Sequence, residues 1–310
     1  MSFIVVTGIN GFVGQHLARE LHKQGYEVIG AGREPKITPE LESIIHEYYE
    51  CNLLNEADVT KLPLKESVAI INLAGLAQVG SSYGQEKLYM DVNVKVQTTL
   101  AKYLNEMGNS TTRIIAVSTG AVYDSNQPMP LTEESKIIIN GSPYALSKIA
   151  MEEALQEYIE SGVDIIIVRP FNHIGPGQLG GFLVPDLANQ IQKSDSISVG
   201  NLSTERDYTD VRDVVRAYIL LATKQKLKHR LYNVCSGKSI SGKEILDLIK
   251  QDLNKNDLEV IVDQNKIRPN DPLVVRGDNE RLCTDTGWKP TFELGTTIKD
   301  YIHWLKDNGS

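Results

Sequence analysis

Short runs of β-branched residues alternate with amphipathic stretches through the first half of the chain. Residues 3–7, 27–29, 68–73, 113–118 and 164–169 are rich in Val and Ile, and several of these runs are almost wholly apolar. Such runs predict strands buried on both faces of a parallel sheet. Between them, helical periodicity predicts helices over 13–24, 85–107 and 144–161. Gly25, Gly108 and Gly162 follow them, where a left-handed turn ends a helix. The alternation predicts an α/β fold, a doubly wound parallel sheet of the Rossmann kind with right-handed crossovers.

After Pro170 the texture changes. Residues 171–181 are dense in Gly and Pro and read as a loop, followed by helices near 183–193, 212–223, 243–253 and 294–305 and strands near 231–234 and 259–262. The expected organisation is a dinucleotide-binding domain over residues 1–170 and a smaller α/β substrate-binding lobe over residues 171–310, with some of its segments returning to the main sheet. No repeat or low-complexity linker separates them, so the two are expected to share a cleft.

Composition narrows the class. Of 310 residues, 41% are hydrophobic and 23% charged, which suits a folded globular chain, and the formal net charge of -8 disfavours sequence-independent nucleic-acid binding. An anionic small ligand gripped by a few arginines stays open. Cys51, Cys235 and Cys283 are odd in number and far apart, with neither metal-ligand nor disulfide spacing. The chain enters an apolar run at Phe3 without a basic leader, and no apolar stretch approaches the roughly eighteen residues of a membrane span. These features lead us to expect a cytoplasmic protein with no metal and no membrane partner.

Directly after the first predicted strand comes Gly8-Ile9-Asn10-Gly11-Phe12-Val13-Gly14, opening a helix. Gly8 and Gly11 permit a tight turn against a pyrophosphate, Gly14 permits close helix–sheet packing, and the helix N-terminus presents free N–H groups to phosphate. The spacing departs from the usual G-x-G-x-x-G. Its place between strand and helix is what makes it informative. At the end of the second strand stands Arg33, where an NAD-specific site usually has an acid; a guanidinium there suits the ribose phosphate of NADP.

The candidate chemistry lies in Ser142-Pro143-Tyr144-Ala145-Leu146-Ser147-Lys148, which reads as a helix start with Ser142 as N-cap and Pro143 in the first turn. Tyr144 and Lys148, four apart, then share a face. A tyrosine has an ordinary pKa near 10, and a neighbouring ammonium, a helix N-terminus and an oxidised nicotinamide would each favour its phenolate. The preceding strand ends in Ser118 and Thr119, two hydroxyls placed to meet a reacting carbonyl oxygen.

Together, the glycine turn, the strand-end hydroxyls and the Tyr-x-x-x-Lys helix resemble an extended short-chain dehydrogenase/reductase over essentially the whole chain. That resemblance assigns the catalytic hydroxyl to Thr119, beside Tyr144 and Lys148. It places Asn10, Phe12, Val13, Asn52, Leu53, Leu73, Ala74 and Gly75 along the cofactor, with Asn52 where members usually carry Asp, and has Asn93 organise the active site. Arg169–Gln178, Arg206–Asp213, Tyr232–Gly237 and Val275–Asp278 resemble the GDP-4-keto-6-deoxy-mannose reductase branch. By that resemblance Asn172 holds the sugar or proximal phosphate, Arg206 and Arg276 the diphosphate, and Asp278 the nucleotide ribose. Related 4,6-dehydratases carry an Asp-Glu pair directly after the catalytic threonine. Gly120 and Ala121 stand there instead, so elimination has no evident acid and base. His173, a lone loop histidine, reads as structural or cofactor-lining.

The expectation is NADPH-dependent reduction of the 4-keto group of a nucleotide-linked 4-keto-6-deoxyhexose, with a GDP sugar favoured over dTDP or UDP and NAD as the alternative cofactor. The competing readings are an NAD-dependent nucleotide-sugar 4-epimerase and a non-catalytic NADP-binding regulator. The resemblance also implies a homodimer built on helices 85–107 and 144–161.

Overall fold

The computed structural model describes residues 3–267 and 271–308. The first half runs β1 (Phe3–Thr7), α1 (Phe12–Lys23), β2 (Glu27–Gly32), β3 (Glu47–Glu50), α2 (Glu56–Val59), β4 (Ala69–Asn72), α3 (Glu86–Glu106), β5 (Arg113–Val117), α4 (Pro143–Glu160) and β6 (Ile165–Pro170). The second half continues with β7 (Asn172–Ile174), α5 (Leu183–Lys193), β8 (Ser196–Val199), β9 (Glu205–Asp210), α6 (Val211–Thr223), β10 (Leu231–Val234) and β11 (Ser239–Ser241). It closes with α7 (Gly242–Leu253), β12 (Glu259–Val262), β13 (Val274–Val275), α8 (Glu280–Thr286) and α9 (Leu294–Asn308).

Seven strands form the main sheet in the order β10-β6-β5-β4-β1-β2-β3, every neighbouring pair parallel. The Val- and Ile-rich runs are its interior because both faces are covered, as the sequence predicts. On one face α1 and α6 pack with Trp288, and on the other α3 and α4 pack over Ile70, Ile114 and Ile165. Strand order reverses between β1 and β4, the switch point at whose carboxyl edge sheets of this kind bind ligands. Gly25, Gly108 and Gly162 all have positive φ at the ends of their helices.

The chain passes more than once between this layer and the smaller one. α6 and β10 lie beyond residue 170 yet pack against α1 and β6, whereas β7, β9, β11 and β13 form a second sheet. α5, α7 and α9 close a separate core around Ile191, Ile249 and Ile302, beside the parallel pair β8–β12. Several strands carry no apolar run to reveal them. β9 reads Glu-Arg-Asp-Tyr-Thr-Asp, and β3 is an edge strand of Glu-Tyr-Tyr-Glu with both ends exposed. β7 arises inside the Gly/Pro-rich stretch because it pairs with β9.

One buried carboxylate fastens α6 to the segment leading into α9. Asp213 accepts from the Thr291 and Phe292 backbone N–H groups at 2.8 and 3.0 Å, from the Thr291 hydroxyl and from Arg216, while its carbonyl accepts from the Trp288 indole at 2.9 Å. Asp213→Ala leaves the Thr291, Phe292 and Arg216 donors unpaired, and such losses cost about 3 kcal/mol. We expect a lower urea midpoint with an unchanged slope in chemical denaturation.

Candidate active site

The turn after β1 has room for backbone and nothing more. Gly8 has φ +65°, and a Cβ there would lie 3.0 Å from the Ala74 nitrogen; at Gly14 it would lie 2.5 Å from the Gly8 carbonyl oxygen. α1 begins at Gly11 with no side-chain cap and no acidic residue in its first turn. A helix end left open in this way fits an anion such as a pyrophosphate. Asn10 fastens the turn to the segment after β2, accepting from the Thr38 N–H and donating to the Lys36 carbonyl, both at 3.1 Å. Arg33 and Lys36 are exposed in that segment, so a second cation, legible as the Arg-Glu-Pro-Lys run, accompanies the one the sequence singles out.

The neighbouring strand ends complete this half. Asn72 accepts from the Thr7 hydroxyl and the Ala74 N–H and donates to the Val96 carbonyl at 2.9 Å. It thereby fixes Leu73 and Ala74, both half-buried, and the exposed Gly75. Asn52 spends its side-chain oxygen on the Leu54 N–H and shapes the turn after β3, while Leu53 is buried in the core beneath it. Phe12 and Val13 are half-buried in the first turn of α1, and the Phe12 ring lies nearly parallel to that of His173, 6.2 Å away. Burial pushes His173 below its ordinary value, and its Nδ1 is occupied by the Phe171 carbonyl. That is a packing role, in line with the structural or cofactor-lining reading.

The candidate reactive side chains meet where β5 ends and α4 begins. Ser142 caps α4, accepting from the Ala145 N–H at 3.2 Å, and Pro143 opens it. Burial pushes the Tyr144 hydroxyl above its ordinary value, the Thr119 side chain partly offsets this, and Tyr89 adds to it. Lys148 donates to the Val117 carbonyl at 2.8 Å. Burial pulls its ammonium down to about 8, against the attraction of the Glu152 carboxylate. Asn93 is fully buried and holds the Leu76 backbone at both ends, accepting at 2.8 Å and donating at 3.1 Å, while donating to the Ser147 hydroxyl at 2.9 Å. Ser147 donates in turn to the Tyr144 carbonyl at 2.7 Å. A Cβ on Gly75 would lie 2.9 Å from the Asn93 oxygen and 3.7 Å from the Lys148 nitrogen. The segment after β4 and the start of α4 therefore share one buried amide.

Below them lies an ionic strut that the sequence reading does not name. Glu152 accepts from the Ser118 hydroxyl and from Arg169, at 3.0 Å from Nε and 2.6 Å from Nη2. Arg169 also lies over the Tyr123 ring, 4.7 Å from its centre. Its signal was Glu152 one turn beyond Lys148 on the same face. Ser118, the other candidate hydroxyl, is thus committed to the strut, and Thr119 faces Tyr144.

The residues that the resemblance assigns to the substrate lie on or beside the second sheet. Asn172 is exposed on β7. Arg206 on β9 already has an acidic partner, donating to Asp271 at 2.6 Å and to the Pro272 carbonyl at 2.9 Å. The Arg276 side chain, just past β13, has no polar partner among the described residues. Asp278 spends one oxygen on the Glu280 N–H at the start of α8. Buried Asp207 gathers Ser236, Gly237 and Gly277 through their N–H groups at 2.8, 2.9 and 3.3 Å, and so fixes the turn that bears Arg276 and Asp278. Among the described residues no cluster of three His, Cys, Asp or Glu side chains is placed to hold a metal, and no helix is long and apolar enough to cross a membrane.

Residues 4–235 match the model of the NAD dependent epimerase/dehydratase family. GDP-6-deoxy-D-mannose reductase from Pseudomonas aeruginosa is 32% identical over 305 residues, covering 96% of this chain and 94% of that protein. The structure of RMD from Pseudomonas aeruginosa complexed with NADPH superposes with a TM-score of 0.83 at 29% identity, covering 99% of each chain. UDP-glucose 4-epimerase from Thermotoga maritima, solved with UDP-glucose, reaches a TM-score of 0.88 at 23% identity, with 99% of each chain covered, and shares the fold.

The Lys148 environment yields a measurable signature. Its ordinary value is 10.5 and its value here about 8, so the unfolded chain holds the proton more tightly. The burial penalty is fully present below pH 8 and gone above 10.5, so stability rises with pH through that window. Relative to Lys148→Met, the unliganded protein is expected to gain about 2–3 kcal/mol between pH 8 and 10.5, read from denaturant midpoints of the two proteins side by side.

Proposed function

Because the chain belongs to the NAD dependent epimerase/dehydratase family, we propose that it is an NADPH-dependent reductase of the 4-keto group of a nucleotide-linked 4-keto-6-deoxyhexose, with a GDP sugar favoured. The observation that carries this reading is buried Tyr144 facing Thr119, with Lys148 one turn along and only Gly120 and Ala121 after the threonine. That set has a proton donor for a ketone and lacks the two carboxyl groups an elimination needs. The similarity to a GDP-6-deoxy-D-mannose reductase over nearly the whole chain supports the substrate class, and the NADPH in the related structure supports the cofactor.

A bound nicotinamide would supply the hydride to C4. Thr119 donates a hydrogen bond to the ketone oxygen and Tyr144 delivers the proton as charge develops on it. Burial raises the pKa of Tyr144, which keeps the hydroxyl protonated and ready to act as the acid. The Lys148 ammonium then stabilises the phenolate that is left and would also hold the ribose of a bound cofactor. The open end of α1 receives the pyrophosphate, and Arg33 with Lys36 the ribose phosphate of NADP. On the substrate, Asn172 holds the sugar, Arg276 and Arg206 the diphosphate, and Asp278 the nucleotide ribose. For Arg206 the diphosphate replaces the Asp271 carboxylate.

We further propose a homodimer through α3 and α4, where Leu88, Met90 and Met107 expose 47%, 39% and 44% of their surface. Sedimentation equilibrium at micromolar concentration is expected to give twice the chain mass. Cys51 and Cys235 are buried and Cys283 half-buried, all three unpaired, which suits a reducing cytoplasmic setting.

The activity test offers GDP-, dTDP- and UDP-4-keto-6-deoxyhexoses with NADPH or NADH and follows nicotinamide absorbance. We expect stoichiometric NADPH oxidation with the GDP sugar, and about a thousandfold loss of kcat in Tyr144→Phe. A tightly held dinucleotide with no net oxidation of NADPH would instead identify an epimerase.

A further inference from the structure

Between the catalytic turn and the substrate-side turn lies one aromatic ring. Phe171 follows β6, is 7% exposed, and has its N–H on the Val234 carbonyl at 2.9 Å. Its ring is flanked by two glycines. A Cβ on Gly120, the residue after Thr119, would lie 2.9 Å from the Phe171 ring edge. A Cβ on Gly277, between Arg276 and Asp278, would lie 2.8 Å from the ring and 2.6 Å from the Cys235 sulfur. A real side chain is not found so close to a packed ring. Neither glycine has a positive φ, so space at the ring, not backbone conformation, is what excludes a side chain there.

The ring cannot move aside easily. Tyr123 stacks on it with 6.2 Å between centres, and Val122, Leu131 and Cys235 complete its buried cluster. Leu131 holds the far turn through two backbone bonds, accepting from the Asp278 N–H at 2.9 Å and donating to the Arg276 carbonyl at 2.8 Å. Phe171 also directly precedes Asn172 in the chain. Three segments that carry proposed reacting or gripping groups thus bear on a single ring.

We propose that Phe171 is a positioning residue that sets the distance between the Thr119 turn and the Arg276–Asp278 turn, so that the ketone meets Thr119 and Tyr144 while the nucleotide diphosphate is gripped. This rests on the reductase reading above. In this role the ring need touch neither substrate nor cofactor. It acts as a spacer of fixed thickness, held there by two glycines. The pyrophosphate cradle at Gly8–Gly14 lies on other strands, so cofactor affinity should be insensitive to the spacer.

The test is a double-mutant cycle on Gly120→Ala and Phe171→Ala, read by kcat/KM for GDP-4-keto-6-deoxyhexose and by NADPH affinity from fluorescence titration. The added methyl of Gly120→Ala alone is expected to lower kcat/KM by about tenfold to a hundredfold, the scale of a sub-ångström to ångström misplacement. NADPH affinity should stay within about twofold. Adding Phe171→Ala should recover much of that loss, since it removes the Cγ, Cδ2 and Cε2 atoms that the new methyl would meet. Gly277→Ala should lower kcat/KM as well but resist this rescue, because the Cys235 sulfur still meets the methyl. Additive single losses, or a parallel fall in NADPH affinity, would overturn the proposal. Should Gly120→Ala fail to fold, Phe171→Ala alone, which removes atoms, must still lower kcat/KM with NADPH affinity kept. If the wild type reduces none of these sugars, the reductase reading fails separately. Calorimetric titration of GDP into the same variants then decides the spacer, which stands if the affinities follow the cycle and falls if they do not.

Discussion

Asn93 satisfies three hydrogen bonds at once from a fully buried position, and the geometry of the candidate site depends on that. Its oxygen and nitrogen hold the two backbone groups of Leu76, and the same nitrogen reaches Ser147 on the catalytic helix. A buried amide left with one of those bonds unmade costs on the order of 1–3 kcal/mol, so the segment after β4 and the start of α4 settle in one mutual position. Gly75 and the ammonium of Lys148 are brought together by this tie. The long helix α3 that carries Asn93 is thereby structural on one side of the site and organising on the other.

A second constraint is electrostatic. Glu152 and Arg169 are charges placed in the interior, and such charges are tolerated only when paired and hydrogen-bonded. They are: the carboxylate accepts from Ser118 and twice from the guanidinium, which also rests on Tyr123. This strut fixes the face of α4 that meets β5 and β6, one turn beyond Lys148. It leaves Lys148 in a dry place with a distant negative partner, which keeps an ammonium there at neutral pH despite the burial. The same physics acts on the substrate side. Asp207 gathers four donors and holds the 276–278 turn, while Arg206 waits on Asp271.

Much of this was legible in the residues alone. The β-branched runs, the glycine turn before α1, and Ser142-Pro143 ahead of Tyr144 are local signals. Their spacing follows from the periods of strand and helix, so fold class, nicotinamide binding and the Tyr144–Lys148 pair could be read without coordinates. The choice between Ser118 and Thr119 needed family resemblance at first. Local periodicity could not make it, since both hydroxyls end the same strand.

Tertiary structure alone decided the rest, because it depends on partners distant in sequence. β9, with no apolar run, is a strand because β7, β11 and β13 supply its backbone partners. Ser118 proves to serve Glu152, 34 residues away. Asn52, expected along the cofactor, also turns its side-chain oxygen onto its own loop, and Arg206, expected at the diphosphate, carries an acidic partner 65 residues on. The sequence by itself determined which chemical groups this protein owns and on which local elements they sit. Only the folded chain decided which of them face one another, since hydrogen bonds and desolvation act across space and leave no period in the sequence.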